Sequence, residues 1–249
     1  MEEFAFGIDF GKAYSSVGLY KYDTPEVISL KSGKKYVESI VSYVRSSIII
    51  GKDNNKLIKY PKSVIYDTKE MLGQQYKTVL SMKEARGWQF EIENDESEDD
   101  FLINIEEIHK KLHPYEIVSE IFKHLIKSGN DFIPPGKKTQ RVVLSAPGYF
   151  NKKQLEYLKK AAVQANLDVL KIISEPVAVC ISYKYEQYYK EKRTVIVFDI
   201  GSTDINVSLV KYDDSKYTLI STEREKNVGG KYFDEEVYKY LIKENHLEE

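Results

Sequence analysis

The chain has 249 residues, with 37 lysines and arginines against 39 aspartates and glutamates; the net charge of −2 lacks the basic footprint of a nucleic-acid binder and argues against direct DNA binding. Its 42% hydrophobic and 31% charged residues are an ordinary globular mixture, long enough for one large domain or two small ones. One cysteine (Cys180), an acidic start at Met1-Glu2-Glu3 and no apolar run of about 18 residues argue against a disulfide framework, a signal peptide and a membrane span, and leave a reducing, cytoplasmic compartment.

In chain order, Phe4 to Tyr20 reads as two short strands around the polar turn Asp9-Phe10-Gly11-Lys12-Ala13, and Glu26 to Leu30 as a third strand. Ser39 to Ile50 is β-branched and apolar and breaks at Gly51–Asn55, and Ser63 to Tyr76 has the mixed spacing of a short helix. The acidic block 91–100, EIENDESEDD, reads as a solvated loop or hairpin tip. Ile117, Val118, Ile121, Phe122 and Leu125 give helical periodicity over Pro114–Ile126. A strand at Arg141–Ser145 follows, then a helix from Lys152 to Ala165 capped by Asn151. Next come a strand at Val169–Ile173, a helix at Val177–Gln187 and strands at Arg193–Asp199, Ile205–Tyr212 and Tyr217–Glu223. A last helix, Phe233–Lys243, follows Gly229-Gly230. Hairpins mixed with crossover helices predict an α/β or α+β class with a mixed sheet.

One turn occurs twice. Ile8-Asp9-Phe10-Gly11 is echoed by Phe198-Asp199-Ile200-Gly201, and an apolar strand resumes at the same offset, at Val17-Gly18-Leu19 and Val207-Ser208-Leu209. This predicts a duplicated architecture with the two turns facing each other. Glycine lets backbone amides approach a phosphate. The acid at the strand end suits a hydrated magnesium ion that bridges phosphate oxygens. With Glu175 at a strand–helix junction, the pattern points to a metal–nucleotide cleft.

Several stretches carry a family resemblance: FGIDFGKAYSSVGLYK (6–21), PKSVIYDTKEMLG (61–73), the block 142–183 with its PGYFN and IISEP turns, TVIVFDIGSTDINVSLVKY (194–212) and NVGGKYFDEEVYKYL (227–241). Together they resemble the nucleotide-binding domain of the heat shock protein 70 family, the DnaK-type chaperones, within the actin-like ATPase superfamily. The resemblance implies an actin-like ATPase (ribonuclease H-like) fold, with duplicated mixed sheets flanked by helices and an incomplete second lobe. Lobe I would span about 1–188, with a peripheral subdomain near 39–112, and lobe II would begin at 189. Asp9, Asp199 and Glu175 match the acids that organise magnesium and the attacking water, the metal being held by Asp9 and Asp199 through water. Gly11, Lys12, Ala13, Tyr14, Gly201, Ser202 and Thr203 match the two phosphate loops, and Gly229 and Gly230 a glycine pair in the second lobe. ATP/ADP and Mg2+ are the implied cofactors. J-domain co-chaperones, nucleotide-exchange factors, client polypeptides or the ribosome are the implied partners, with roles in protein folding and the stress response.

The sequence also departs from the pattern. Lys12 and Ala13 stand where the family places two threonines, and the G-G-G-T-F-D loop reads Gly201-Ser202-Thr203-Asp204-Ile205-Asn206. Asp204 thereby adds an acid near the phosphates, and Asn206 replaces an aspartate that helps hold a monovalent cation. The family's catalytic lysine falls at Asn54 or Asn55, with Lys56 off register. Leu155 replaces an arginine of the allosteric surface, whereas Lys171 keeps a charge that J-domain partners touch. The chain stops at Glu249, early in the second lobe, before the part that sandwiches adenine. Weak or absent hydrolysis is therefore expected, and three readings stay open: an ATP-binding chaperone or co-chaperone, including a ribosome-associated regulatory subunit; an active ATPase using Lys12 or Lys56; and an interaction module that keeps only the fold. Cys180 is expected to be a buried small hydrophobe, the histidines at 109, 113, 124 and 246 surface or cap residues, Tyr183–Lys190 an aromatic helix end, and Trp88 a packing residue.

Overall fold

The computed structural model describes residues 4–21, 24–45, 47–96, 100–134, 136–183, 191–214 and 216–245. Its contacts divide the chain into two units, one of residues 1–145 and 151–172, the other of 146–150 and 173–249. The first unit opens with a hairpin of β1 (Phe6–Phe10) and β2 (Tyr14–Lys21), in register Phe6↔Leu19 and Asp9↔Ser16. Strand alternation buries Phe6, Ile8 and Phe10 and turns Gly7 and Asp9 outward. β3 (Thr24–Val27) and β4 (Val37–Glu38) also pair with β2. The third strand thus begins earlier than Glu26, because Pro25 is tolerated on the edge of a sheet, where its missing N–H leaves no ladder partner unbonded.

β5 (Val41–Val44) is buried along its length and pairs with β6 (Ser47–Ile50). The expected break at Gly51–Asn55 becomes a helix start. Asp53 accepts a hydrogen bond from the Lys56 amide at 3.2 Å and caps α1 (Asn54–Lys59). The helix expected over Ser63–Tyr76 is replaced by β7 (Val64–Ile65), which pairs with β5, and the four-residue α2 (Thr68–Met71). The longer helix there, α3 (Tyr76–Arg86), buries only Val79 and so lacks the apolar stripe that marks a helix in sequence.

β8 (Glu91–Asp95), β9 (Asp100–Ile105) and β10 (Lys110–Leu112) form an antiparallel sheet. The acidic block is therefore the β8–β9 hairpin, and residues 97–99 at its tip lie outside the described residues. Asp100 is not solvated as expected. It is fully buried and accepts hydrogen bonds from the Tyr157 hydroxyl at 2.5 Å and the Phe101 amide at 2.8 Å.

α4 (Pro114–Phe132) starts with proline in its first turn, and the Glu116 carboxylate accepts from the His113 amide at 2.9 Å. The five apolar residues that predicted this helix are all buried, and Phe122 meets Phe10 edge-on at 5.5 Å. β11 (Arg141–Ala146) runs parallel to β1. α5 (Lys152–Gln164), capped reciprocally by Asn151 and Gln154, packs on α4. β12 (Asp168–Ser174) completes the mixed sheet β12-β11-β1-β2-β3. A mixed sheet flanked by helices is the arrangement the expected actin-like ATPase fold requires.

The second unit holds α6 (Glu175–Ser182), β13 (Arg193–Ile200), β14 (Asp204–Asp213), β15 (Lys216–Lys226) and α7 (Gly230–Glu244). Among the described residues its sheet is antiparallel, in order β13-β14-β15. Cys180 is buried against Val197 and Val210, as expected of a small hydrophobe. The β13–β14 hairpin repeats the first one partner for partner: Ile196↔Leu209 answers Phe6↔Leu19, and Asp199↔Asn206 answers Asp9↔Ser16. The residues answering Phe6, Ile8 and Phe10 are Ile196, Phe198 and Ile200, which are 60–70% exposed. The helix expected to reach Gln187 is described to Ser182. The tyrosine run beyond Tyr183, the expected lobe boundary at 188–189, and His246 lie outside the described residues. No helix among the described residues is long and apolar enough to cross a membrane.

Candidate functional site

The first turn follows from β1. Alternation puts Asp9 on the exposed face one step before the chain reverses, and the Ser145 hydroxyl on β11 donates to its Oδ1 at 2.9 Å. Gly11 is required there, since a Cβ would stand 2.2 Å from the Tyr14 carbonyl oxygen. Ser39 holds the turn from beneath. Its hydroxyl donates to the Gly11 carbonyl at 2.8 Å, its amide donates to the Ala13 carbonyl at 2.8 Å, and it meets the Ser15 hydroxyl at 2.9 Å. Tyr14 is 53% exposed and packs edge-on against Tyr36.

Lys12 does not project from this turn. Its ammonium lies 2.8 Å from the Glu70 carboxylate, and both side chains are less than a tenth exposed. Lys56, nearest to the expected lysine position, lies on α1 with its ammonium 6.0 Å from the Tyr60 ring. The lysine that sequence reasoning missed is Lys69 on α2. It is buried, with its ammonium 6.0 Å from the ring of Phe10, the residue between Asp9 and Gly11. Its signal was a Lys-Glu pair set directly before the apolar pair Met71-Leu72 and shortly after Val64-Ile65. Ser145 had no local signal, because only the parallel pairing of β11 with β1 brings it to Asp9.

The second turn lies wholly in the second unit. Asp199 is exposed at the end of β13, and the Asn206 side-chain amide opposite donates to its Oδ2 at 3.5 Å. Gly201 closes the turn with an N–H bond to the Asp204 carbonyl at 2.9 Å. Gly229 and Gly230 are brought directly to it. The Gly230 and Lys231 amides donate to the Gly201 and Ser202 carbonyls at 3.0 and 2.8 Å. The start of α7 thus spends its first N–H groups on the turn. Ser202 and Thr203 are half-buried between these contacts. Asp204, expected as an extra acid near phosphates, is instead buried and paired with Arg224, which also lies 4.3 Å over the Tyr149 ring. Glu175 is half-buried in the first turn of α6, at the predicted strand–helix junction.

Each turn therefore offers an exposed carboxylate, a glycine that admits no side chain or little, and close backbone. That donor set fits a polyphosphate with a hydrated magnesium ion, which usually keeps several waters and takes one or two carboxylates. Among the described residues no three of His, Cys, Asp and Glu gather into a direct metal shell.

A family model described as Hsp70 protein matches residues 5–249. The heat shock 70 kDa protein of Emericella nidulans is 26% identical over 241 residues, 96% of this chain and 37% of that protein. The heat shock 70 kDa protein of Ajellomyces capsulatus is 27% identical over 241 residues, covering 96% and 34%. Heat shock cognate 70 kDa protein 3 of Dictyostelium discoideum is 26% identical over 245 residues, covering 96% and 39%. The chain spans little more than a third of the length of these curated relatives.

Proposed function

The chain belongs to the Hsp70 protein family, and from that membership we propose that it is a nucleotide-binding part of an Hsp70-like chaperone that holds ATP or ADP with magnesium and hydrolyses ATP weakly or not at all. The observation that carries this reading is the repetition of one acid–x–glycine hairpin with equal pairing offsets, Asp9↔Ser16 and Asp199↔Asn206.

In this reading Asp9 and Asp199 hold the hydrated metal through water. The backbones of Gly11–Tyr14 and Gly201–Thr203 lie against phosphate oxygens. Glu175 orders water, and Gly229 and Gly230 fix the second turn. Magnesium, when bound, would supply positive charge that neutralises the phosphates. Ser145 keeps the Asp9 carboxylate oriented with one oxygen available. Phosphoryl transfer depends on charge placed around the transferring group. Here Glu70 neutralises Lys12 and Arg224 neutralises Asp204, while Lys69 is the lysine beside the first turn. Loss of one positioned donor commonly costs about 2–4 kcal/mol in the barrier, which supports binding with little turnover and favours a regulatory or co-chaperone role. Client polypeptides, a J-domain partner at the face bearing Lys171, a nucleotide-exchange factor or the ribosome would then read the bound state in the cytoplasm.

Calorimetric titration with Mg-ATP, followed by a phosphate-release assay, tests the proposal. Binding with slow or no phosphate release is expected. No binding at millimolar nucleotide would leave a protein-interaction module, and turnover that survives both Asp9→Asn and Asp199→Asn would remove these turns from the chemistry.

A further inference from the structure

The inward turn of Lys12 begins a chain of charges. Glu70 takes Lys12 on Oε1 and Arg86 on Oε2. The same guanidinium reaches Asp67 Oδ2 at 3.2 Å, and that oxygen also accepts the indole N–H of Trp88 at 2.9 Å. Trp88 is 3% exposed and stacked on Phe90 at 5.3 Å. Asp67 holds a left-handed backbone, φ 58 and ψ 17, which few residues other than glycine adopt. Gly87, at φ 66, reverses the chain between Arg86 and Trp88, so that both neighbours reach one carboxylate.

We propose that Glu70 is a positioning residue that competes with a bound polyphosphate for the Lys12 ammonium, and that the chain Lys12–Glu70–Arg86–Asp67–Trp88 carries occupation of the first turn to the indole. The proposal rests on the nucleotide reading above. Lys12 directly follows Gly11, so a polyphosphate on the turn presents several negative charges to an ammonium that Glu70 holds at 2.8 Å. In a water-poor site such a charge moves to the stronger field. Glu70 then turns wholly to Arg86, Arg86 redistributes between Glu70 and Asp67, and the Asp67 bond to the Trp88 N–H changes. Buried polar chains of this kind pass a local change along because each member is held by the next.

Trp88 is the chain's one tryptophan, so emission excited at the red edge of indole absorption, beyond the absorption of the 20 tyrosines, reports on it alone. Emission and calorimetric heat are followed together during titration with Mg-ATP and, separately, with magnesium pyrophosphate. Wild type is expected to show a saturable emission change with the calorimetric midpoint for both probes. Glu70→Gln is expected to bind about threefold to tenfold more tightly, since the competing carboxylate is gone, and to lose the emission change. Arg86→Gln, at a partly exposed side chain, serves if Glu70→Gln does not fold, and is expected to keep the heat and lose the emission change. Heat without an emission change, or an emission change that persists in these variants, overturns the relay and leaves nucleotide binding standing. No heat with either probe overturns the nucleotide reading, and the relay with it.

Discussion

Gly229 lies so close to Gly201 that a Cβ on it would stand 2.7 Å from the Gly201 carbonyl oxygen and 2.9 Å from the Asp204 nitrogen. These are backbone atoms of the second turn, and no rotamer change relieves the contact. Gly229→Ala is therefore expected to lower stability by about 1–3 kcal/mol, read as a lower urea midpoint. Gly7→Ala is the control, because nothing lies within 4 Å of its Cβ position. Equal midpoints for the two variants would contradict the packing of α7 on this turn.

Tyr157→Phe removes the hydroxyl that donates to the buried Asp100 carboxylate. Leaving a buried acceptor short of a donor costs about 1–3 kcal/mol. Urea unfolding at neutral pH should show a loss in that range, and a neutral substitution would show that solvent reaches Asp100.

His124 is half-buried on α4, and burial first, then the Lys127 ammonium, hold its pKa below the ordinary 6.5. The unfolded chain therefore takes up this proton at a higher pH than the folded one. The stability His124 contributes is present above the unfolded value and is lost as pH falls from about 6.5 toward the folded value. Urea midpoints at pH 7.5 and 5.5 should fall more for wild type than for His124→Gln. Equal slopes would contradict the assignment.

Burial raises the Cys180 thiol pKa, and the side chain has no exposure. A thiol reagent should react slowly with the native protein and fully in denaturant. Rapid native labelling would mean that α6 opens readily from the β13–β14 pair.

What was legible in the sequence was local. Alternation and the repeated acid–x–glycine turn marked both hairpins. The apolar spacing of Ile117, Val118, Ile121, Phe122 and Leu125, with the Asn151 cap, marked α4 and α5. What stayed hidden depended on partners distant in the chain. Asp100 read as solvated because Tyr157, which allows its burial, lies 57 residues on. Asp204 read as an acid facing phosphates because Arg224 is 20 residues away, and Lys12 read as a spare cation because Glu70 belongs to another element. Lys69 reaches the first turn only through the packing of α2 near Phe10, and α3 escaped notice because it buries almost nothing.

On the proposed reading, Asp9 and Asp199 act on one magnesium nucleotide. Calorimetric titration of Mg-ATP into wild type, Asp9→Asn, Asp199→Asn and the double variant tests it most directly. Each single variant should weaken binding by about tenfold or more, and, on the proposed reading that both carboxylates serve one hydrated ion, the double variant should lose clearly less than the two losses combined. Unchanged affinity in either single variant, or losses that simply add, would contradict it.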